Sequence, residues 1–273
     1  MVERAPRAEL LPFASALWAS EKGEPRAERE RVVPTGDVHL VVRLGHPNLR
    51  IYRDECDAVG ETIRGPIVGG PRSAAHLRDV SVSTASVGMM LRPGKAHALF
   101  GVSAKELSGA HWSLSELWRH RAQQLLEALH ELRTLEAQAK RFEEFVLDVR
   151  SRREIASPDP RVVFAAGNLG RGMTVGEIAS HLELSPRRLH ALFIEDVGLS
   201  PKRYARIKRV QTALSESHRA RSRSWSQIAF AAGFSDQAHL TREMRAIAGV
   251  TPRSFRRLAP EHAHHLPLLD GAK

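Results

Sequence analysis

Short runs of β-branched and other apolar residues follow one another between residues 31 and 91. Turn signals rich in glycine and proline separate them, among them Pro34-Thr35-Gly36-Asp37 and Gly45-His46-Pro47-Asn48. The runs are Val32-Val33, 38–42, 49–52, Ile67-Val68 and 80–91. Several short strands at this spacing are typical of a small antiparallel barrel or sandwich. The pattern therefore predicts a β-rich segment over residues 29–92.

After Arg92-Pro93-Gly94 the apolar residues recur at helical spacing, so residues 95–150 are predicted to be helical. Apolar side chains stand three or four positions apart, with polar residues between them. The series is Leu125, Leu129, Leu132, Leu135, Ala139, Phe142, Val146 and Val149. It predicts one long helix or a two-helix hairpin over about 115–150.

Leu125, Leu129 and Leu132 have two interpretations. They pack against the barrel of their own domain, or they form a seam between two copies of the chain. The spacing breaks heptad order between Leu132 and Leu135, which argues against a regular coiled coil. We take the three leucines as candidates for a dimer seam and expect a homodimer.

Residues 151–160 are polar and end in two prolines, which cannot continue a helix. We place a linker there. The predicted organisation is a sensory or dimerisation domain over 1–150, the linker over 151–160, a helical domain over 161–260 and a tail over 261–273.

Two copies of one helical pattern occur beyond the linker. In the first, Thr174 and Glu177 form a capping box for a helix over about 175–182, and Ser185-Pro186 restart the chain as a second helix to about 197. In the second copy, about fifty residues later, Ser224 or Ser226 caps one helix and Ser235 or Asp236 caps the next. A long helix over about 201–216 joins the copies. Each copy has the layout of a helix-turn-helix unit.

The charge is concentrated in this helical half. The chain carries a formal net charge of +10, and residues 151–273 hold 20 Lys and Arg against 11 Asp and Glu. Arg outnumbers Lys there by 17 to 3. A basic segment of this kind is expected to face phosphates, although a basic domain also suits RNA, an anionic membrane or an acidic partner. The paired helical units favour DNA.

Cysteine content and apolar run length bear on the compartment. A single cysteine, Cys56, excludes an intramolecular disulfide and a cysteine-based metal cluster. The chain shows no apolar run of 18 residues and no signal-peptide core. We expect a cytoplasmic protein that does not bind the membrane.

The two helical units resemble the DNA-binding domain of the AraC/XylS family of transcriptional regulators. The resemblance covers about 160–258 and departs from the family at Met244, where phenylalanine is usual. In the first unit it rests on Ile178-Ala179, residues 184–189, Phe193, Gly198 and Ser200-Pro201. In the second it rests on residues 228–237, 239–242 and 249–252 and on Phe255-Arg256.

The first 150 residues resemble, more loosely, the partner domain of a sub-branch of these regulators. This resemblance rests on residues 31–36, 87–94 and 99–102. In the wider family this region is a cupin-like barrel with helices, used for sensing or dimerisation. The expected fold is therefore an α+β N-terminal domain, a small antiparallel β-barrel plus helices, followed by an all-α tandem helix-turn-helix domain.

The resemblance also implies which side chains face DNA, because each unit of the family inserts its second helix into a major groove. The candidates for base contact are Arg187, His190, Ala191, Gln237, Ala238 and Arg242. Arg pairs with guanine, Gln pairs with adenine, and Ala offers apolar contact. The candidates for phosphate contact are Arg188, Arg206, Arg209, Arg245, Arg253 and Arg257.

These features favour a sequence-specific transcriptional regulator that binds double-stranded DNA, is modulated through its N-terminal domain and is not an enzyme. The alternative is a DNA-tethered enzyme with a catalytic N-terminal barrel, which would need a convergent acid–base or metal set. A DNA-coating protein would need charge spread over both halves. We expect no cofactor and no metal site; a small-molecule effector and RNA polymerase remain open as partners.

Overall fold

The computed structural model of the protein describes residues 2–21, 23–152, 159–220 and 222–269. Most of the predicted linker, residues 153–158, lies outside them. The strands are β1 (Val2–Arg4), β2 (Ala14–Glu21), β3 (Arg29–Val32), β4 (His39–Arg43), β5 (Leu49–Tyr52), β6 (Glu61–Ile63), β7 (Ile67–Gly69), β8 (His76–Asp79), β9 (Ala85–Leu91), β10 (His111–Ser113) and β11 (His265–Pro267).

The strands form two antiparallel sheets. A six-stranded sheet has the order β1-β2-β9-β4-β7-β10, and a five-stranded sheet has the order β11-β3-β8-β5-β6. The expected β-rich domain is confirmed in this form, as two sheets and not as a closed barrel. Alternation along the strands assigns the two faces of the larger sheet: Leu40 and Val42 are buried in the core that it shares with helices, while His39 and Val41 lie on the opposite face.

Five helices follow or interrupt the strands of this domain. They are α1 (Ala96–Phe100), α2 (Ala104–Leu107), α3 (Leu114–Trp118), α4 (His120–His130) and α5 (Leu135–Ser151). The periodic segment therefore forms a hairpin, α4 and α5, with a turn near Leu132. Apolar side chains of α4 and α5 share one core with Leu17, Leu40 and Met89 of the larger sheet.

The predicted dimer seam is wrong for Leu125 and Leu129. Both side chains are 0% exposed and belong to the core between α4, α5 and the larger sheet. Leu132 is half-buried in the turn after α4. A side chain that packs inside its own domain is not available to a second copy. The helical periodicity was thus the signature of ordinary core packing.

The C-terminal helices are α6 (Pro160–Gly170), α7 (Val175–His181), α8 (Pro186–Val197), α9 (Pro201–Arg219), α10 (Trp225–Ala231), α11 (Gln237–Ala248) and α12 (Pro252–Leu258). Their buried side chains form one continuous core through α9, which contributes Tyr204, Ile207, Val210 and Leu214. The expected all-α tandem helix-turn-helix domain is confirmed. Helix α6 was not predicted from the periodicity of the sequence, and it packs on α9.

The segment after α12, predicted as a tail over 261–273, includes the strand β11. His265–Pro267 pairs antiparallel with β3, with His265 opposite Val32 and Pro267 opposite Glu30. Leu266, between them, is 1% exposed and packs into the core of the helical domain. Residues 265–267 thus connect the helical domain to the smaller N-terminal sheet.

Candidate nucleic-acid interface

The first helix-turn-helix unit consists of α7 and α8 and is built by local hydrogen bonds. The Thr174 Oγ1 accepts from the Glu177 backbone N–H at 3.2 Å, and the Glu177 carboxylate accepts from the Thr174 N–H at 2.7 Å. Ser185 Oγ accepts from the Arg188 N–H at 3.2 Å, directly before Pro186 at the first helical position. The predicted caps are confirmed, and each satisfies N–H groups that the helix itself leaves without partners.

The second unit, α10 and α11, repeats this arrangement. Of the two caps considered for α10 the structure uses Ser224, which forms a capping box with Gln227. Of the two considered for α11 it uses Asp236, whose carboxylate accepts from the His239 N–H at 2.6 Å. That backbone hydrogen bond is the main reason why the pKa of Asp236 is lowered. A charged carboxylate therefore stands at the start of α11, where the helix dipole favours it.

The two units are equivalent position by position. α7 and α10 are offset by 50 residues, and α8 and α11 by 51. Both turns contain a residue with positive φ, Glu183 at 54° and Gly233 at 76°. Leu189 and Leu240 are buried at equivalent positions, as are Phe193 and Met244, all 0% exposed. Met244 thus fills the place of an aromatic core residue without becoming exposed, as its flexible side chain allows.

All six candidates for base contact lie on the exposed sides of the two second helices. Arg187, His190 and Ala191 are exposed on α8, opposite the buried Leu189 and Phe193. Gln237, Ala238 and Arg242 are exposed on α11. These side chains come from the first two turns of their helices, which is the end that enters a groove in helix-turn-helix proteins. Their contact with bases stays a prediction.

Ser226 is a residue that the sequence interpretation missed in this role. It had been considered only as a cap of α10. Its hydroxyl donates to the Gln237 Oε1 at 3.0 Å. The contact holds the carboxamide of a candidate reading residue from the other helix of the same unit. Fixing that rotamer before binding reduces the entropy lost when the amide meets a base.

The candidates for phosphate contact fall into two groups. Arg188, Arg245, Arg253 and Arg257 are exposed. Arg206 is half-buried and donates to Glu243 at 2.7 Å, which ties α9 to α11. Arg209 is half-buried, and its guanidinium carbon lies 5.5 Å from the Phe234 ring centroid. Arg206 and Arg209 are therefore engaged inside the domain, and their first role is packing.

Within the described ranges, no group of three or more His, Cys, Asp or Glu side chains is placed to hold a metal ion. Likewise, none of the helices in the described part of the chain is long and apolar enough to cross a membrane.

Comparison with known families divides the chain in two. Residues 178–258 match a family described as a helix-turn-helix domain. Residues 2–113 match a family described as a domain of unknown function, DUF6597. The first match covers both helix-turn-helix units from α7 to α12, and the second ends with β10.

Among curated proteins, the HTH-type transcriptional regulator ArgR of Pseudomonas aeruginosa is 32% identical over 98 residues. These residues are 35% of this chain and 29% of ArgR, so the match spans less than a third of that relative.

Two solved structures align with parts or most of the chain. A crystal structure of an apo variant of ToxT from Vibrio cholerae aligns with 94% of this chain and 100% of its own, at 11% identity and a TM-score of 0.51. The C-terminal domain of AraT, a response regulator from Geobacillus stearothermophilus, aligns with 36% of this chain and 85% of its own, at 22% identity and a TM-score of 0.34. The ToxT alignment extends over both domains and shows a common fold.

Proposed function

We propose that the chain is a transcriptional regulator of the AraC/XylS type, because its C-terminal domain matches a helix-turn-helix family and part of the regulator ArgR. In this proposal it binds double-stranded DNA with α8 and α11 in successive major grooves. Two grooves on one face of B-DNA lie about 34 Å apart. One chain with two reading helices can therefore occupy a complete site. Because a regulator of this type acts on DNA, we also propose that the protein is located in the cytoplasm.

The observation that carries this proposal is the repetition of one exposed surface. Equivalent helices of the two units are capped in the same way, bury the same positions and present polar side chains from their first two turns. The excess of Arg in this half of the chain supplies the charge that phosphates require. The relatives that match this domain offer no support for the alternative of a DNA-tethered enzyme.

In vitro selection of random duplex DNA by the purified protein tests the proposal. We expect a selected site with two short conserved elements, separated by about one helical turn. Affinity should fall steeply with salt, because phosphate contacts release counterions. Recovery of no enriched sequence, together with equal affinity for every duplex, would contradict sequence-specific regulation. Transcription by RNA polymerase from a promoter that carries the selected site, measured with and without the protein, then decides whether the protein activates or represses.

Homodimerisation stays a proposal without the leucine seam. Two units in one chain already span two grooves, so DNA binding does not demand a second copy. Light scattering of the purified protein at tens of micromolar measures the state directly.

We also propose that the N-terminal domain modulates DNA binding by taking up a small molecule between its two sheets. A cleft of about 320 Å³ opens beside β2, β3 and β11. Its lining is mixed in charge: Glu21, Glu24, Arg26, Arg29, Glu30, Glu261, His262 and His265 contribute. Such a lining suits a small polar molecule with both donors and acceptors. A thermal-shift screen of polar metabolites tests the idea: a hit should alter DNA affinity, and its thermal shift should be lost in His262→Ala.

The interior of the same domain holds neutral histidines. Burial lowers the pKa of His39 and His111 to about 3 in each case, with nearby positive charge as a further cause. For His39 the charges are those of His265, Lys208, His264 and Arg78; for His111 they are those of Arg72, Arg78 and His39. Arg72 Nη2 lies 2.9 Å from His111 Nδ1, where a neutral ring can accept its hydrogen bond. The native state therefore keeps both rings unprotonated well below pH 6.

A pH dependence of stability follows. Folding lowers the pKa of His39 and His111, so below pH 6.5 the unfolded chain binds more protons than the native state. The free energy of unfolding therefore decreases as the pH is lowered from about 6.5 to about 3. Together the two rings should lower the free energy of unfolding by roughly 2 kcal/mol when the pH is lowered from 7 to 5.5. Urea unfolding at both pH values measures this loss.

The matched variants for this experiment are His39→Gln, His111→Gln and, as the control, His46→Gln at an exposed position. The first two should each flatten the pH dependence, whereas His46→Gln should keep it. An unchanged slope in His39→Gln and His111→Gln would place the acid sensitivity elsewhere.

A further inference from the structure

Both reading helices end on the N-terminal domain, at equivalent residues. Gly198 follows α8 and Gly249 follows α11, 51 positions apart, with φ of 77° and 68°. The Gly198 carbonyl accepts from Ser108 Oγ at 2.7 Å. The Gly249 carbonyl accepts from Arg31 Nη1 at 3.2 Å. Each unit is thus contacted at the same backbone carbonyl by a different side chain of the N-terminal domain, Ser108 in the first unit and Arg31 in the second.

The packing at both points is close. A Cβ atom at Gly198 would lie 2.5 Å from the Ala104 carbonyl oxygen and 2.6 Å from Pro71 Cγ. At the other unit, the Ala75 N–H donates to the Ile247 carbonyl at 2.8 Å, beside the Arg31 contact. The Ile247 carbonyl lies in the last turn of α11, and the Gly198 and Gly249 carbonyls directly follow α8 and α11, where a helix has no partners of its own for them. The N-terminal domain therefore completes both helix ends.

A third attachment lies midway, on the helix that joins the two units. Lys208 Nζ donates to the buried Asp37 carboxylate at 2.6 Å, and the Tyr204 hydroxyl lies 3.4 Å from the same carboxylate. Gln211 Nε2 donates to the Pro34 carbonyl at 3.0 Å. The loop between β3 and β4 thus lies along α9. The N-terminal domain holds the tandem unit at both ends and at its centre.

The relative orientation of α8 and α11 depends on α9. Each unit packs on α9, and a helix of 19 residues is about 28 Å long. Small bends or twists in a helix of this length are common and would change the distance between the two reading surfaces. Contacts that fix the far end of each reading helix to the same N-terminal domain oppose such changes.

We propose that Arg31 and Ser108 are positioning residues that fix the separation of the two reading helices and thereby set the spacing that the protein accepts between the two elements of its site. This inference rests on the proposed function. The contacts leave all six candidates for base contact exposed, so they do not cover the side chains proposed to meet DNA. Specificity for spacing then comes from residues that do not touch DNA.

The first experiment compares binding to the selected site with binding to the same site carrying one base pair inserted or removed between its elements. The unmodified protein should discriminate against the altered spacings. Arg31→Gln combined with Ser108→Ala should lower that discrimination by about three- to tenfold, as expected for the loss of one or two hydrogen bonds. Unchanged discrimination in the double variant overturns the proposal, whatever happens to overall affinity.

Two variants serve as controls. Arg31 also forms an ion pair with Glu55 at 2.5 Å, and Glu55→Gln removes that pair while it keeps the Gly249 contact. Arg50→Gln removes an exposed arginine of the same domain. Both should retain the discrimination of the parent. Circular dichroism and thermal unfolding of each variant identify any loss that arises from misfolding.

The second experiment needs no DNA. In a Cys56→Ser background, spin labels on Ala191→Cys and Ala238→Cys report the distance between the reading helices by pulsed electron paramagnetic resonance. The parent should give a narrow distribution, and the Arg31→Gln, Ser108→Ala variant a broader one. Equal widths overturn the proposal. If the widths differ but selection enriches no sequence, it is the proposed function that fails.

Discussion

Replacing Arg187 or Arg242 with alanine is expected to weaken binding to the selected site by about 1–3 kcal/mol in each case and to relax the preference at one base pair. Arg187 lies in the first turn of α8 and Arg242 in the second turn of α11, both exposed. An arginine there can donate two hydrogen bonds to the O6 and N7 of guanine, and alanine replaces neither. Fluorescence anisotropy on the selected site and on its single-base-pair variants measures both effects.

The pattern of the loss distinguishes two kinds of contact. Loss of a base contact weakens binding only to sequences that contain that base. Loss of a phosphate contact weakens binding equally on every sequence and makes the affinity less dependent on salt concentration. Arg50→Ala, which removes an exposed arginine from the N-terminal domain, should leave both quantities unchanged. Equal losses on all duplexes would assign Arg187 or Arg242 to the phosphate backbone.

Replacing Leu125 or Leu129 with alanine is expected to lower the free energy of unfolding by about 2–5 kcal/mol in each case, without a change of oligomeric state. Both side chains are 0% exposed in the core between α4, α5 and the larger sheet, so truncation leaves a cavity. Urea unfolding measures the stability. Light scattering at one fixed concentration compares the molar mass of each variant with that of the parent.

Leu132→Ala is the matched control in the same series. Leu132 is half-buried, and its loss should cost much less than that of its two neighbours. Two results together would restore the dimer seam: a molar mass halved by Leu125→Ala or Leu129→Ala, and an unfolding free energy close to that of the parent.

Helical periodicity did not predict which surface covers Leu125 and Leu129. A spacing of three and four residues identifies the apolar side of a helix, and α4 and α5 do form helices there. It does not identify the surface that covers that side. A barrel in the same domain and a second copy of the chain are equally apolar partners, and only the tertiary structure shows that the larger sheet takes this place.

The helical domain was more predictable because its signals are local. Thr174 with Glu177, Ser185 before Pro186, and Ser224 with Gln227 each act within one helical turn, so the residues that begin a helix are neighbours in the chain. The separation of the two units by about fifty residues is likewise visible without coordinates. Even so, helix α6 was not predicted, although it packs on α9.

The amino-acid sequence by itself determined the two helix-turn-helix units, the exposed side chains of their second helices and the basic charge around them, because caps, periodicity and composition depend on residues close together in the chain. Only the tertiary structure decided that Arg31 and Ser108 reach Gly249 and Gly198, and that His265–Pro267 joins β3. These partners stand 90 or more positions apart, and no local preference specifies them. Burial of a shared surface brings them together, and the energy of that burial depends on the whole fold.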